Sequence, residues 1–309
     1  MKLAVVFPGQ GSQSVGMMQG FAESKVVRDT FAEASAVLGQ DLWQLVAQGP
    51  AEELNATVNT QPVMLTAALA MYRAWREAGG PAPAVVAGHS LGEYTALVVS
   101  GALDFADALP LVRFRAQAMQ DAVPLGAGAM AAILGLDDDA VRAACAEAAQ
   151  GEIVEAVNFN APSQVVIAGH QGAVERGAAA AKARGAKRAV MLPVSAPFHS
   201  SLLKPAADRL RERLQSVAFR APEIALVNNV DVAMVTDPAQ IKDALARQAC
   251  NPVRWVETVQ AFAAQGVTHV VECGPGRVLA GLTKRIEGGL QGFAVTDPAS
   301  LQQTLEVLR

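Results

Sequence analysis

The chain alternates between short apolar runs and longer stretches in which apolar residues recur with helical spacing. Apolar runs rich in β-branched residues predict buried strands, and the helical stretches predict amphipathic helices packed on them. The predicted strands cover 2–7, 84–87, 129–134, 153–157, 165–168, 188–194, 224–228 and 268–273. The predicted helices cover 26–38, 61–78, 92–100, 104–122, 137–149, 173–184, 202–214, 241–248, 253–265 and a segment that ends at 286. This alternation is typical of an α/β fold, and the segment after Glu287 carries little signal.

A sharp strand-to-helix turn is predicted at Gly88-His89-Ser90-Leu91-Gly92. The G-x-S-x-G spacing is that of a nucleophile elbow, in which the serine hydroxyl projects above the sheet. We expect strained backbone at Ser90, and a Cβ at either glycine would collide where strand and helix pass closely. The backbone N–H of Leu91 would then face a developing oxyanion. The alternative is a glycine-rich turn in which Ser90 only caps the helix.

The middle of the chain has its own order of elements. Between 127 and 194 the predicted order is βαββαβ, which is the ferredoxin-like order. We therefore predict a discontinuous large subdomain, residues 1–126 and 195–309, with a parallel sheet and an α/β-hydrolase-like elbow. The small ferredoxin-like subdomain, residues 127–194, is inserted into it.

A second glycine-rich turn, Pro8 to Ser14, follows the first predicted strand. Ligands gather at the carboxyl ends of the strands in open α/β sheets. The turn lacks both phosphate-binding patterns, G-x-x-x-x-G-K-[ST] and G-x-G-x-x-G, so nucleotide binding is not favoured. Two interpretations stay open for this segment: a tight turn before a helix, or an oxyanion donor at the backbone N–H near Gln10.

One cation points into the apolar face of a predicted helix. Leu111, Arg115 and Met119 fall on the same side of the helix predicted over 104–122, whereas Arg113 falls on its outer side. A guanidinium keeps its charge, so burial without an anionic partner is costly. The partner is either an internal carboxylate in a structural salt bridge or the carboxylate of a substrate near the elbow serine.

A serine nucleophile needs a base, and the chain contains four histidines. His269 begins a strand and so lies at the wrong edge of the sheet, while His170 ends a strand of the small subdomain. The position of His89 next to the serine aims its side chain away from the hydroxyl. His199 alone reaches the expected edge by a loop, and either Asp231 or a backbone carbonyl could orient its ring.

Composition narrows the function classes further. Hydrophobic residues make up 51% of the chain and charged residues 17%, which is enough apolar material for a large core. A net charge of −4 argues against nucleic acid as a general partner. The three cysteines have no C-x-x-C spacing and are read as reduced thiols of a cytoplasmic protein. No apolar run is long enough for a membrane span, and residues 3–7 are too short for a signal peptide.

These motifs together resemble the family of malonyl-CoA:acyl carrier protein transacylases. The resemblance extends over most of the chain. It rests on Gly9-Gln10-Gly11-Ser12, Gly88-His89-Ser90-Leu91-Gly92-Glu93, Arg115, Val157-Asn158-Phe159-Asn160, Ala196-Pro197-Phe198-His199, Asn228-Asn229-Val230, Gln248 to Trp255 and Gly274-Pro275-Gly276. An ordered set of this kind is much more specific than any single motif.

The resemblance implies that Ser90 is the nucleophile, His199 the general base and acid, and Arg115 the clamp on the malonyl carboxylate. It also implies an oxyanion hole built from the backbone N–H groups of Gln10 and Leu91. The reaction expected is ping-pong acyl transfer through a malonyl-serine intermediate, in the service of fatty acid synthesis.

Three further positions take their expected roles from the family. The backbone carbonyl that orients the histidine maps to Gln248, which would explain the missing acidic residue. Asn160 maps to a position near the pocket. Phe198, directly before the histidine, favours malonyl over methylmalonyl.

The resemblance implies no metal and no permanently bound cofactor, with malonyl-CoA as substrate and the phosphopantetheine carried by the partner. Acyl carrier proteins of this pathway are acidic, so a basic patch is expected to dock them. Candidate residues are Lys182, Arg184, Lys187 and Arg188 on the small subdomain, with Lys284 and Arg285 near the C-terminus. Two rival functions stay open from the residues alone: a serine hydrolase and a non-catalytic subunit that binds acyl groups or carrier proteins.

Overall fold

The structure is a computed structural model that describes residues 1–308, and it contains two β-sheets flanked by helices. The strands are β1 (Leu3–Phe7), β2 (Val85–Gly88), β3 (Gly128–Leu134), β4 (Val154–Ala161), β5 (Gln164–His170), β6 (Arg188–Met191), β7 (Ala225–Leu226), β8 (His269–Cys273) and β9 (Gln291–Val295). The helices are α1 (Lys25–Leu38), α2 (Leu42–Gln48), α3 (Ala51–Asn55), α4 (Thr57–Glu77), α5 (Gly92–Val99), α6 (Phe105–Asp121), α7 (Asp138–Ala149), α8 (Gln171–Ala183), α9 (Lys204–Gln215), α10 (Pro238–Gln248), α11 (Trp255–Ala264), α12 (Val278–Ile286) and α13 (Pro298–Leu308). Short 3₁₀ turns cover Gln19–Phe21 and Ser201–Leu203. The predicted mixed α/β fold is confirmed.

The larger sheet has five strands in the order β7-β2-β1-β8-β9, and all its pairs are parallel. β1 and β2 are buried along their whole length, as expected for apolar strands covered by helices on both faces. In parallel strands the carboxyl ends meet at one edge. The segments after β1, β2 and β7 are therefore neighbours at that edge, which is where ligands bind in folds of this kind.

The smaller sheet has four strands in the order β4-β5-β3-β6, and all its pairs are antiparallel. With α7 and α8 packed against it, this is the ferredoxin-like arrangement predicted from the βαββαβ order. The backbone N–H of Phe159 in β4 donates to the carbonyl of Val253, 3.0 Å away, which ties the small sheet to the segment before α11. The subdomain boundaries at 126/127 and 194/195 stay a prediction.

Several element boundaries differ from the sequence prediction. α4 begins at Thr57 rather than Gln61 and continues through Pro62, which lies inside the helix. β6 ends at Met191, which is its last residue paired with β3, so the rest of the predicted strand is loop. β7 has only two paired residues.

Four elements were not predicted at all: α2, α3, β9 and α13. β9 is an edge strand, half-exposed, and lacks the continuous apolar run that marks a buried strand. α2 is a short helix whose N-cap, Asp41, accepts a hydrogen bond from the backbone of Gln44. Within residues 1–308 no helix is both long enough and apolar enough to cross a membrane.

Candidate active site

Ser90 lies in the turn between β2 and α5, and its backbone is in the left-handed region with φ of 53°. An added Cβ at Gly88 would lie 1.9 Å from the backbone carbon of Gly92, and one at Gly92 would lie 2.1 Å from the carbonyl oxygen of Phe7. The turn is therefore possible only with glycine at both positions. The structure thus has the strained backbone expected at Ser90, and an added Cβ would collide at both glycines as expected.

His199 reaches the elbow from the loop after β6. Its Nε2 lies 2.7 Å from the Oγ of Ser90, and its Nδ1 lies 2.8 Å from the backbone oxygen of Gln248. A carbonyl only accepts, so Nδ1 carries the proton and Nε2 is left to accept from the serine hydroxyl. Asp231, the acidic alternative, lies elsewhere and is bound by both terminal nitrogens of Arg247 at 2.7 Å.

The three other histidines have structural partners. The Nε2 of His89 lies 2.8 Å from the Oδ1 of Asn160, and the ring of His89 packs against Trp255. The Nδ1 of His170 accepts from the backbone N–H of Ile153, and His269 stacks on Phe293 at the far end of the sheet. Asn160, which the family resemblance places near the pocket, is thus the hydrogen-bonding partner of His89.

Arg115 is 2% exposed and lies beside the serine. Its Nη2 donates to the Oγ of Ser90 at 3.2 Å and to the Oε1 of Gln248 at 3.0 Å, and its Nη1 donates to the Oε1 of Gln61 at 2.9 Å. The guanidinium also lies 5.5 Å from the ring centre of Tyr94. Among the described residues no carboxylate forms a salt bridge with Arg115, and its Nε has no partner. The internal salt bridge considered from the sequence is absent from this part of the chain.

Burial and the neighbouring charge of Arg115 lower the pKa of His199 to about 3. Both effects disfavour the imidazolium form, because a second positive charge in a dry site is poorly stabilised. The ring is therefore neutral at physiological pH, which is the state a general base requires. A substrate carboxylate on Arg115 would offset part of this charge and make the ring more basic.

Two backbone N–H groups near the serine, those of Gln10 and Leu91, are candidates for an oxyanion hole. Leu91 precedes the first residue of α5, and neither its N–H nor that of Gln10 has an acceptor within residues 1–308. A Cβ at Gly9 would lie 2.6 Å from the carbonyl oxygen of His89, so only glycine lets the loop after β1 lie this close to the elbow. Two unpaired donors beside a nucleophile can stabilise an oxyanion.

Four polar groups of the site had no role predicted from the sequence: the side chains of Gln61, Glu93, Asn229 and Gln248. Each is buried, and buried polar side chains require partners. No local pattern singled out Gln61, because it follows Asn59 and Thr60 in the polar first part of α4. Burial raises the pKa of Glu93 to about 7, against the opposing effect of its hydrogen bonds with Gln248 and Asn229.

Phe198 is half-buried and packs against an apolar cluster of the small sheet that includes Met130 and Val157. The four basic residues of the small subdomain that were suggested for docking are exposed, but Arg184 is paired with Glu147 at 2.6 Å. Lys182, Lys187 and Arg188 form no salt bridge with any described residue. Arg285 donates to the side chain of Gln164.

An open cavity of about 590 Å³ adjoins His199 on the side of α7 and β4. Its lining includes Cys145, Val157, Cys250 and Arg254. In the part of the chain that the structure describes, no cluster of three or more His, Cys, Asp or Glu residues could hold a metal ion.

Comparisons with known proteins agree with this site. The profile of the acyl transferase domain family matches residues 4–291. The malonyl CoA-acyl carrier protein transacylase of Escherichia coli K12 is 58% identical over 307 residues, covering 99% of each chain. The acyl-carrier-protein S-malonyltransferase of Burkholderia pseudomallei is 69% identical with a TM-score of 0.97, over 99% of this chain and 100% of that one. A malonyl-transacylase solved in complex with a type II PKS acyl-carrier protein is 55% identical with a TM-score of 0.98, over 99% and 100% of the two chains.

Proposed function

The chain belongs to the acyl transferase domain family, and on this basis we propose that it moves a malonyl group from malonyl-CoA to the phosphopantetheine thiol of acyl carrier protein. The observation that carries the choice of acyl group is the buried guanidinium of Arg115. It lies against the Oγ of Ser90 with neutral groups as its hydrogen-bond partners. A simple esterase or thioesterase has no use for a buried cation there, whereas an acyl group with a distal carboxylate pairs with it.

In the first half-reaction the Oγ of Ser90 attacks the thioester carbon of malonyl-CoA. His199 takes the hydroxyl proton on Nε2, and the 2.7 Å contact between the two atoms supports this assignment. The oxyanion accepts from the backbone N–H groups of Gln10 and Leu91, each of which lowers the barrier by about 3 kcal/mol. The intermediate collapses, the carbon–sulfur bond breaks, and CoA leaves as the thiol with the proton from His199.

The charge of Arg115 then holds the malonyl-serine ester. Acylation turns the Oγ of Ser90 into an ester oxygen, which is a weaker acceptor, so the Nη2 donor that faced Ser90 becomes free for the substrate. Together with a spare N–H on Nη1, it can bind both oxygens of the malonyl carboxylate. The carboxylate is separated from the ester carbon by a single methylene, so the acyl group reaches the guanidinium beside its own attachment point.

In the second half-reaction the phosphopantetheine thiol of acyl carrier protein gives its proton to the Nε2 of His199. The sulfur attacks the ester carbon, the same two N–H groups bind the oxyanion, and the serine leaves with the proton returned by the histidine. Side chains and backbone groups of this chain supply each step, and CoA and the carrier protein bring the acyl group in and take it out. The product supplies malonyl units for fatty acid synthesis.

The experiment that tests this function follows the acyl group by intact mass. Wild-type protein mixed with malonyl-CoA should gain one malonyl group, and addition of holo acyl carrier protein should transfer it to the carrier. Ser90→Ala should gain none. A malonyl adduct of unchanged yield in Ser90→Ala, or loss of the adduct to water at the same rate with and without carrier, would overturn the proposal.

A further inference from the structure

Glu93 is buried beside the site but contacts neither the serine hydroxyl nor the histidine. It is 2% exposed and lies in the first turn of α5. Its Oε2 accepts from the backbone N–H of Asn229 at 3.0 Å and from the Nε2 of Gln248 at 2.9 Å. A buried carboxylate is costly, so two donated hydrogen bonds to one oxygen indicate a site built around it.

Both hydrogen-bond partners of Glu93, Asn229 and Gln248, also form hydrogen bonds with the backbone of the elbow. The Oδ1 of Asn229 accepts from the backbone N–H of Ser90 at 2.7 Å, and its Nδ2 donates to the carbonyl of Gly88 at 2.7 Å. The Nε2 of Gln248 also donates to the carbonyl of Ser90 at 2.9 Å. These bonds bracket the residue whose backbone is strained, and such strain persists only where surrounding contacts fix it.

The side-chain amide of Gln248 stands between a carboxylate and a guanidinium. Its nitrogen donates to Glu93 at 2.9 Å, and its oxygen accepts from the Nη2 of Arg115 at 3.0 Å. An amide can satisfy both neighbours in one orientation only, because a carboxylate requires a donor and a guanidinium requires an acceptor. Glu93 and the carbonyl of Ser90, which both accept from this nitrogen, therefore determine together which end of the amide faces Arg115.

The interposed amide also keeps the two charges apart. A carboxylate in direct contact would form a bidentate salt bridge and occupy the donors that a substrate needs. In its ionised form Glu93 stabilises the buried cation through Gln248 without covering it. The Coulombic attraction between Glu93 and Arg115 persists across the amide.

We propose that Glu93 is a positioning residue for malonyl recognition: its carboxylate fixes the side-chain amide of Gln248, which holds Arg115 aimed at the acylated serine with its charge free for the substrate carboxylate. The inference rests on the malonyl transfer proposed above. It assigns to the last residue of the Gly88–Glu93 motif a role in substrate selection, in addition to support of the elbow.

The test compares malonyl with acetyl transfer in folded variants of Glu93. Removing the carboxylate in Glu93→Ala should lower the ratio of malonyl to acetyl kcat/KM by about tenfold or more, the loss expected for one charge-assisted hydrogen bond. Glu93→Gln should recover much of the ratio, because its amide oxygen can still accept from Gln248. Urea unfolding and circular dichroism establish that each variant is folded.

Glu272 provides the matched control. It is also a fully buried glutamate, but its Oε2 accepts from the backbone N–H of Ala280 at the start of α12. Glu272→Ala should leave the malonyl-to-acetyl ratio unchanged even where it lowers stability. If Glu93→Ala lowers both transfers by the same factor, or lowers neither, the positioning role is excluded.

A charge exchange keeps the proposal testable if Glu93→Ala does not fold. In the double variant Glu93→Gln with Gln248→Glu the carboxylate moves into direct contact with Arg115 at constant net charge. Malonyl transfer should then fall further than acetyl transfer, because the guanidinium is occupied. A double variant with the wild-type ratio would overturn the proposal. Failure of the wild-type protein to form malonyl-serine would instead overturn the function itself.

Discussion

The Nη2 of Arg115 lies 3.2 Å from the Oγ of Ser90, although Arg115 belongs to α6 and Ser90 to the turn between β2 and α5. The same guanidinium is almost fully buried and is bonded to the neutral side chains of Gln61 and Gln248. A cation held by neutral partners keeps its capacity for an anion. In the proposed function, this relationship is the feature that selects a carboxylated acyl group over an uncharged one.

Replacement of Arg115 by methionine should separate the two substrates. The methionine keeps an apolar volume in α6 but cannot pair with a carboxylate, so malonyl transfer should fall by about 100-fold, the equivalent of two charge-assisted hydrogen bonds. Acetyl transfer should fall much less. Steady-state kcat/KM for both thioesters measures the difference.

Arg113 is the control for that substitution, because it lies on the same helix and donates to the carbonyl of Leu38 and the side chain of Gln40 instead. Arg113→Met should change both transfers equally. Parallel losses of malonyl and acetyl transfer in Arg115→Met would mark Arg115 as a structural residue.

Arg115→Met should also change the pH profile of acylation. Burial is the larger cause that lowers the pKa of His199 to about 3, and the charge of Arg115 is the next. The base therefore stays neutral until the solution is strongly acidic. Removing the cation raises that pKa toward the usual value near 6.5. The acid limb of acylation by acetyl-CoA should therefore shift to higher pH in Arg115→Met, as measured by stopped-flow or quenched-flow release of CoA. An acid limb at the same pH in both proteins would contradict the electrostatic coupling.

The sequence was informative where a local pattern has one physical solution. The Gly88–Gly92 elbow requires two glycines for steric reasons, and the structure places a Cβ clash at both. The βαββαβ order specified the small sheet, because the connection rules leave few alternatives. Arg115 was found because a cation in an apolar helix face violates the pattern of the helix.

The parts that residue patterns alone could not predict depend on contacts between distant segments. The carbonyl of Gln248 lies 2.8 Å from the Nδ1 of His199 across 49 positions of sequence, and it was expected only from the family resemblance, because a backbone carbonyl leaves no trace in residue type. Glu93 and Asn229 are 136 positions apart in the sequence, so only the folded chain shows that they form one hydrogen-bond network. The edge strand β9 was missed because its exposure removes the apolar run that identifies a buried strand.

The proposed oxyanion hole predicts an effect for Gly9, which touches no substrate atom in the proposed mechanism. A Cβ there would lie 2.6 Å from the carbonyl of His89 and would push the loop that carries Gln10 away from the elbow. Gly9→Ala should lower kcat by about 100-fold with little change in KM, because the lost donor acts mainly in the transition state. Gly281→Ala in α12, where an added Cβ meets no atom within 4 Å, is the control. An unchanged kcat in Gly9→Ala would argue against Gln10 as an oxyanion donor.

Glu272 should make the stability of the protein depend on pH. Burial raises its pKa to about 7, whereas hydrogen bonds from the start of α12 oppose the shift. A raised carboxyl pKa contributes stability that is fully present below the unfolded value near 4.5 and is lost as the pH rises through 7. The free energy of unfolding lost in this way is about 3 kcal/mol at most. Urea unfolding of Glu272→Gln between pH 5 and 8 should show a shallower decline than the wild-type protein, and identical slopes would contradict the assignment.

Docking of the acidic carrier protein should depend on Lys187 and Arg188, which are exposed and form no salt bridge with any residue between 1 and 308. Lys187→Glu should raise the KM for acyl carrier protein by about fivefold, the effect of reversing one exposed charge, and leave the malonylation of Ser90 unchanged. The increase should shrink at high salt, because exposed charges are screened. Arg213→Glu on α9 reverses an exposed charge elsewhere and should have no such effect. Equal KM values for Lys187→Glu and Arg213→Glu would place the carrier protein on another surface.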